Sequence, residues 1–155
     1  MILIGIGKTE ERERIFKKVL KVYRELEKMP PTLSTLTHNE EGKPIIKGCE
    51  NIKISLSHSG EMLVIALSNE EIGIDIQENR PTDYEKICAR YGISANSLTD
   101  FYKAFTLAEA HAKLVGNGLA PALHSAHKLE GKTYRFIKGY TLSVAGEGEV
   151  VFVSI

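Results

Sequence analysis

Residues 52–76, "IKISLSHSGEMLVIALSNEEIGIDI", contain three short apolar runs separated only by small polar groups of residues. Runs of that length, rich in Ile and Val and broken by Gly, Asn and Ser, read as strands. The middle of the chain is therefore committed to a sheet, and the rest must pack around it. Ile52, Ile54 and Leu56 alternate with Lys53, Ser55 and Ser57, the pattern of a half-buried strand. His58, Ser59 and Gly60 read as a turn, "MLVIALS" as the next strand, and "IGIDI" as a third after the polar "NEE".

Helical periodicity flanks this centre. "MILIGIG" suits a short buried strand, and "TEERERIFKKVLKVYRELEKM" follows as an amphipathic helix. Ile15, Phe16, Val19, Tyr23 and Leu26 form its apolar stripe, Thr9 is placed to cap it, and Pro30 and Pro31 end it. "TLSTLTHNEEGKPIIKG" reads as strand, turn and return. Beyond the centre, "DYEKICARYG" and "SLTDFYKAFTLAEAHAKLVGNG" are helical. In the second, Phe101, Phe105, Ala108 or Ala112, and Val115 are expected inward, with Gly116 and Gly118 closing it. The tail offers strands "KTYRFIK", "YTLSVA" and "VVFVSI", with "GEGE" as a hairpin turn. Residues 1–71 and 72–155 both run strand, helix, strands, and "LIGIG" and "IGIDI" open them. The fold expected is α+β, a single unit of two similar halves with pseudo-twofold symmetry, acting as a monomer.

With 155 residues the chain is long enough for one domain with a real core. Its 20 basic and 20 acidic residues cancel, so overall charge favours neither a nucleic acid nor a membrane partner. Cys49 and Cys88 have no metal-ligand spacing and read as free thiols in a reducing compartment. No run is long enough to cross a bilayer and the opening apolar run is too short for a signal peptide, so a cytoplasmic protein is expected.

Chemistry-bearing residues stand on this frame. Strand alternation puts Gly73, Asp75 and Gln77 on one face and Ile72, Ile74 and Ile76 on the other. The pair has two readings: a strand with a wet face, or an oxygen-bearing site. Glu109 and Lys113 are one helical turn apart, either a solvent-facing ion pair or the other wall of that site. Facing Asp75 and Gln77, Glu109 would complete an oxygen-rich set suited to magnesium, which keeps waters and takes one or two carboxylates with phosphate oxygens. His58 is either a turn histidine bonded to backbone or, with the serines around it, part of an anion site. Lys43 and Pro44 supply a lysine on a proline-stiffened turn. The chain has no Walker loop, no dinucleotide fingerprint and no nucleophile elbow around "SLSHSG".

Taken in order, "GKP" (42–44), "SHS" (57–59), "GIDIQ" (73–77), "FTLAEAHAK" (105–113) and "GNGL" (116–119) resemble the motifs of the 4′-phosphopantetheinyl transferases, specifically the surfactin-type branch in a short form. The resemblance covers roughly residues 40–121. It implies magnesium-dependent transfer of the phosphopantetheine arm from coenzyme A to a serine of an apo acyl or peptidyl carrier protein. By the same resemblance, Asp75, Glu109 and Gln77 are metal ligands, and Glu109 is also the base for the carrier serine. Lys113 contacts the phosphates and assists the leaving group, and Lys43, Pro44, Ser57 and His58 contact coenzyme A.

The chain departs from the family pattern at three of these positions. Gln77 replaces an acidic residue common there, Phe105 a tryptophan, and Ala108 a lysine. A lysine restored at 108 is expected to be tolerated or to help. For the basic residues that would meet the 3′-phosphate, charge alone offers Lys17, Lys18, Lys21 and Arg24. The alternatives are a non-catalytic relative that binds coenzyme A or a carrier protein, and an unrelated phosphate- or nucleotide-binding module.

Overall fold

The first strand is apolar on both sides because both of its faces are covered. In the computed structural model, which describes residues 1–116, 119–124 and 129–155, β1 (Ile2–Lys8) lies inside a four-stranded sheet of order β4-β5-β1-β9. Leu3 faces the first helix, while Ile2 and Ile4 face a second sheet. The helix α1 (Arg12–Leu26) lays Ile15, Phe16, Val19, Leu20 and Tyr23 on the first sheet, against Leu3, Ile54, Leu63, Ile65 and Leu67. A hairpin of β2 (Thr35–His38) and β3 (Pro44–Lys47) adds Ile46 to that core.

Strands β4 (Lys53–Ser59) and β5 (Met62–Ser68) pair antiparallel, and β5 pairs antiparallel with β1. The second sheet has three strands, β6 (Gly73–Glu78), β8 (Tyr140–Ala145) and β7 (Lys132–Tyr134), in the order β6-β8-β7. Ile72, Ile74, Ile76, Leu142 and Val144 pack from it onto Ile2, Ile4, Val64 and Ala66. Its other face carries α3 (Leu98–Val115), preceded by α2 (Tyr84–Tyr91) and followed by the short α4 (Leu119–His124). The layers thus run helix, sheet, sheet, helix. No helix among the described residues is long and apolar enough to cross a membrane.

The α+β class is as expected, and the strand order repeats. The first half arranges its strands β4-β5-β1 and the second β7-β8-β6, each pairing its first strand with its last. Strand order is connectivity, and no twofold rotation follows from it. The final strand, β9 (Val150–Val153), breaks the division at residue 72, because it runs parallel to β1 and completes the first half's sheet. The "GEGE" segment is therefore a crossing between sheets and not a hairpin. Gly146 and Gly148, at φ +126 and +123, turn the chain away from β8 at that crossing.

Local ends also differ from expectation. Thr9 opens a 3-10 turn (Thr9–Glu11) and caps nothing with its side chain, while α1 stops at Leu26, before the prolines, with Lys28 at φ 54. Ser97 caps α3 by accepting from the Asp100 N–H, and Gly116 closes it at φ +76. Gly118 lies outside the described residues. Val115, expected inward, is exposed, whereas Phe101, Ala108 and Ala112 are buried.

One glycine sets the distance between α3 and the second sheet. A Cβ at Gly73 would stand 1.8 Å from the Ala110 carbonyl oxygen and 2.9 Å from the Leu114 nitrogen. Backbone cannot yield as a side-chain tip does, so Gly73→Ala must push α3 off β6. The expected cost is on the order of 1–3 kcal/mol or more, read as a lowered urea midpoint. An unchanged midpoint would contradict the close approach.

Candidate functional site

The site is built on a seam between two strand edges. Strands β4 and β6 lie side by side in different sheets and share no backbone ladder. Period-2 alternation puts Ser55, Ser57 and Ser59 on one face of β4, and their hydroxyls accept the edge N–H groups of β6. The Ile74 N–H donates to Ser55 at 3.1 Å, that of Ile76 to Ser57 at 3.0 Å, and that of Glu78 to Ser59 at 2.9 Å. Lys113, from α3, closes the carbonyl side by donating from Nζ to the Leu56 oxygen and the Ile74 oxygen, both at 3.0 Å. Ser55 and Ser57 are thus buried, contrary to the look of a half-buried strand. The strand also continues through His58 to Ser59, with the turn beginning only at Gly60.

Asp75 stands at the middle of this seam, 3% exposed. Its Oδ1 accepts from the Ser57 hydroxyl at 3.0 Å and faces Lys113 Nζ at 3.5 Å. Its Oδ2 accepts from the Gln77 amide at 3.1 Å. Burial pushes the Asp75 pKa up to about 6, against the opposing Lys113 charge; the Glu109 carboxylate adds to the rise. Glu109 is itself raised by burial, again opposed by Lys113. Asp75, Gln77, Glu109 and Lys113 are therefore brought together. Gln77, expected as a third ligand, presents an N–H to Asp75. No group of three or more His, Cys, Asp or Glu side chains among the described residues is placed to hold a metal.

Beside the seam opens a cleft of about 570 Å³, between the β2–β3 hairpin and the C-terminal end of α3. Lys43, Pro44, His58 and Lys113 line it, as do Arg12, His38 and Ser55. His58 is exposed there, so the reading of a turn histidine held by backbone does not apply. Lys43 is held by Glu71 at 2.9 Å, and the Asn39 side chain accepts from the Lys43 N–H at 2.9 Å, fixing the "GKP" turn. Ser57 is absent from the lining. Arg12 and His38 were not singled out by sequence reasoning. Their only signal was charge, and Arg12 Nη2 donates to His38 Nε2 at 3.5 Å across the cleft. Lys17, Lys21 and Arg24 line a separate cavity of about 410 Å³ between α1 and residues 29–34. Ala108 is fully buried among Phe105, Ala112, Ala122, Tyr91 and Ile93. A lysine there would bury a charge in an apolar cluster, so the expectation that Ala108→Lys is tolerated is withdrawn.

Asp75 gives a pH test on the metal-free protein. Its folded pKa of about 6 lies above the ordinary 3.8, so between those values the folded state binds more protons than the unfolded one. Stability contributed by this group is full below pH 4 and is lost as pH rises through 6. Asp75→Asn removes that slope, which has a limit of about 1.4 kcal/mol per pH unit. Urea unfolding of both proteins from pH 4 to 6.5 should show the variant gaining on the parent as pH rises. A constant difference would contradict the raised pKa.

No family model matches the chain. Among curated proteins it is 32% identical to the 4′-phosphopantetheinyl transferase psf-1 of Bacillus pumilus over 96 residues, 54% of this chain and 40% of that protein. It is 28% identical to the 4′-phosphopantetheinyl transferase Sfp of Bacillus subtilis strain 168 over 124 residues, 72% of this chain and 53% of that protein. It is also 29% identical to the 4′-phosphopantetheinyl transferase gsp of Aneurinibacillus migulanus over 97 residues, 56% of this chain and 40% of that protein. The chain spans about half the length of the curated relatives it matches. By sequence it is thus related to the 4′-phosphopantetheinyl transferases, and the likeness is to their surfactin-type branch.

Proposed function

We propose that this protein transfers the 4′-phosphopantetheine arm of coenzyme A to a serine of an apo acyl or peptidyl carrier protein, in the cytoplasm and as a monomer. The observation that supports the reading best is a pair of coupled carboxylates, Asp75 and Glu109, sharing Lys113 at the edge of a cleft lined by Arg12, His38, Lys43 and His58. Arg12, Lys43 and Lys113 put three cations on that cleft, beside the Glu41 carboxylate, a lining that suits a ligand with several phosphates.

The donor set fits magnesium. Burial raises the pKa of both carboxylates, against the opposing Lys113 charge, with Glu109 adding to the rise at Asp75, and a divalent cation beside them would favour their ionised forms. Magnesium needs no all-protein cage, since substrate phosphates and waters complete its shell. When bound, the ion would neutralise the pyrophosphate and the charge that develops on it.

The chain's own residues do the rest. Arg12, His38, Lys43 and His58 hold and orient the phosphate-bearing substrate. Glu109, its pKa raised by burial, takes the proton of the carrier serine as the serine oxygen bonds to the phosphorus bearing the pantetheine arm and the pyrophosphate P–O bond breaks, releasing the nucleotide half of coenzyme A as its phosphate. Lys113 offers its ammonium to the departing phosphate, exchanging a carbonyl contact to do so. A second reading, binding without transfer, has one observation in its favour: both Asp75 oxygens are already engaged by Ser57, Gln77 and Lys113.

One assay separates the two. The protein is incubated with coenzyme A, magnesium and an apo carrier protein, and the carrier is weighed by mass spectrometry. The arm should be added by the parent, not without magnesium, and not by Glu109→Gln. No added mass with a folded protein would leave only the binding reading. Lys113→Met should lower kcat on the order of a hundredfold, and also lower the unfolding midpoint, since it leaves two seam carbonyls without a donor. His58→Ala should raise the KM for coenzyme A more than it lowers kcat, as expected of a contact equal in ground and transition states. An unchanged KM would remove His58 from the substrate contacts.

A further inference from the structure

We infer that Ser57 is a positioning residue for the Asp75 carboxylate and not a contact for coenzyme A. The inference rests on reading Asp75 as a metal carboxylate. It starts from a comparison the chain itself provides. Ser55, Ser57 and Ser59 occupy one face of β4, and each accepts a backbone N–H of β6 nineteen residues on. That contact is the common structural duty of all three. Among the described residues, Ser57 alone of the three makes a second bond, donating from Oγ to Asp75 Oδ1 at 3.0 Å.

A serine hydroxyl has one proton to give and two lone pairs to accept with. At Ser57 the Ile76 N–H occupies an acceptor direction and Asp75 takes the proton. The side chain is 6% exposed, so little water competes for either. The hydroxyl is therefore fixed in one rotamer and fixes the carboxylate in turn. Gln77 donates to the other oxygen, Oδ2. A carboxylate has about four acceptor sites. With one taken by Ser57 and one by Gln77, about two remain, and Lys113 of α3 stands 3.5 Å from Oδ1. Lys113 Nζ is nearer to its two carbonyl partners than to Oδ1, 3.0 Å against 3.5 Å, so it does not clamp that oxygen.

The serine series supplies its own controls. Manganese binding to the full chain, without coenzyme A or carrier protein, is measured by electron paramagnetic resonance for the parent, Asp75→Asn, Ser55→Ala, Ser57→Ala and Ser59→Ala. Each serine variant removes one seam contact, so all three should lower the unfolding midpoint. Ser57→Ala alone should weaken manganese binding, by roughly ten- to a hundredfold, the usual loss when a group orienting a metal ligand is removed. Ser57→Cys, near in size but a weak donor, should show a loss in the same direction and serves if the alanine variant does not fold. Binding by Ser57→Ala within twofold of the parent overturns the inference, as does an equal loss in Ser55→Ala, which would trace the effect to the seam. A parent that binds manganese no better than Asp75→Asn instead overturns the metal reading and the inference with it.

Discussion

The rest of the structure depends on how the open edges of β4 and β6 are satisfied without forming a ladder. An edge strand buried against another sheet leaves N–H and C=O groups away from water, and each unmet group costs on the order of 1–3 kcal/mol. Here Ser55, Ser57 and Ser59 satisfy the N–H row of β6 and Lys113 satisfies a carbonyl on each strand. The partners are side chains, so the two strands need not share a plane or a register. The two sheets can then stack through Ile2, Ile4, Val64 and Ala66 against Ile74, Ile76, Leu142 and Val144 while still touching at one edge.

That solution brings structure and chemistry into conflict at Lys113. An ammonium has three donors. Two are spent on carbonyls and the third lies toward Asp75. A lysine that must also meet a phosphate has to release part of the seam, and its stability contribution falls as its chemical one rises. Asp75 shows the same tension. Its burial opposes its charge strongly enough to move its pKa to about 6, so near neutral pH the metal-free protein holds an ionised group in a place that disfavours its charge. Groups kept at such a cost are characteristic of sites and not of cores.

Period was legible in the sequence and partnership was not. Alternation in 52–57 and 72–77 and the helical spacing in 9–29 and 97–116 located β4, β6, α1 and α3, because an element with one apolar face must repeat its apolar residues at its own pitch, while a continuous apolar run located β5. The same rule put Asp75 beside Gln77 and Glu109 beside Lys113. It failed wherever the partner decides. Ser55 and Ser57 look outward because hydroxyls are polar, yet they are buried, since a backbone edge is what they meet. "VVFVSI" has the pattern of a hairpin return, but its hydrogen bonds go to β1. Ala108 is hidden because α3 is covered at that point by Tyr91, Ile93 and Ala122, from segments whose arrival the helix's own spacing cannot announce. Arg12 and His38 meet across a cleft lined from α1, the β2–β3 hairpin, β4 and α3, and nothing local marks either one.

The two opening strands show how one arrangement serves packing in one half and chemistry in the other. Each lies under a helix of its own half and each has a glycine where that helix comes closest. A Cβ at Gly5 would stand 2.1 Å from Val19, and one at Gly73 1.8 Å from the Ala110 carbonyl. Two residues further along each strand come Gly7 and Asp75. At Gly7 the space is filled by Ile15, whose Cδ1 would be 2.7 Å from an added Cβ, and the strand buries nothing ionisable there. In the second half α3 carries Glu109 and, one turn on, Lys113, whose Nζ stands 3.5 Å from Asp75 Oδ1. The same close approach then encloses a carboxylate, and the low dielectric that made an apolar core in one half makes a coupled acid pair in the other.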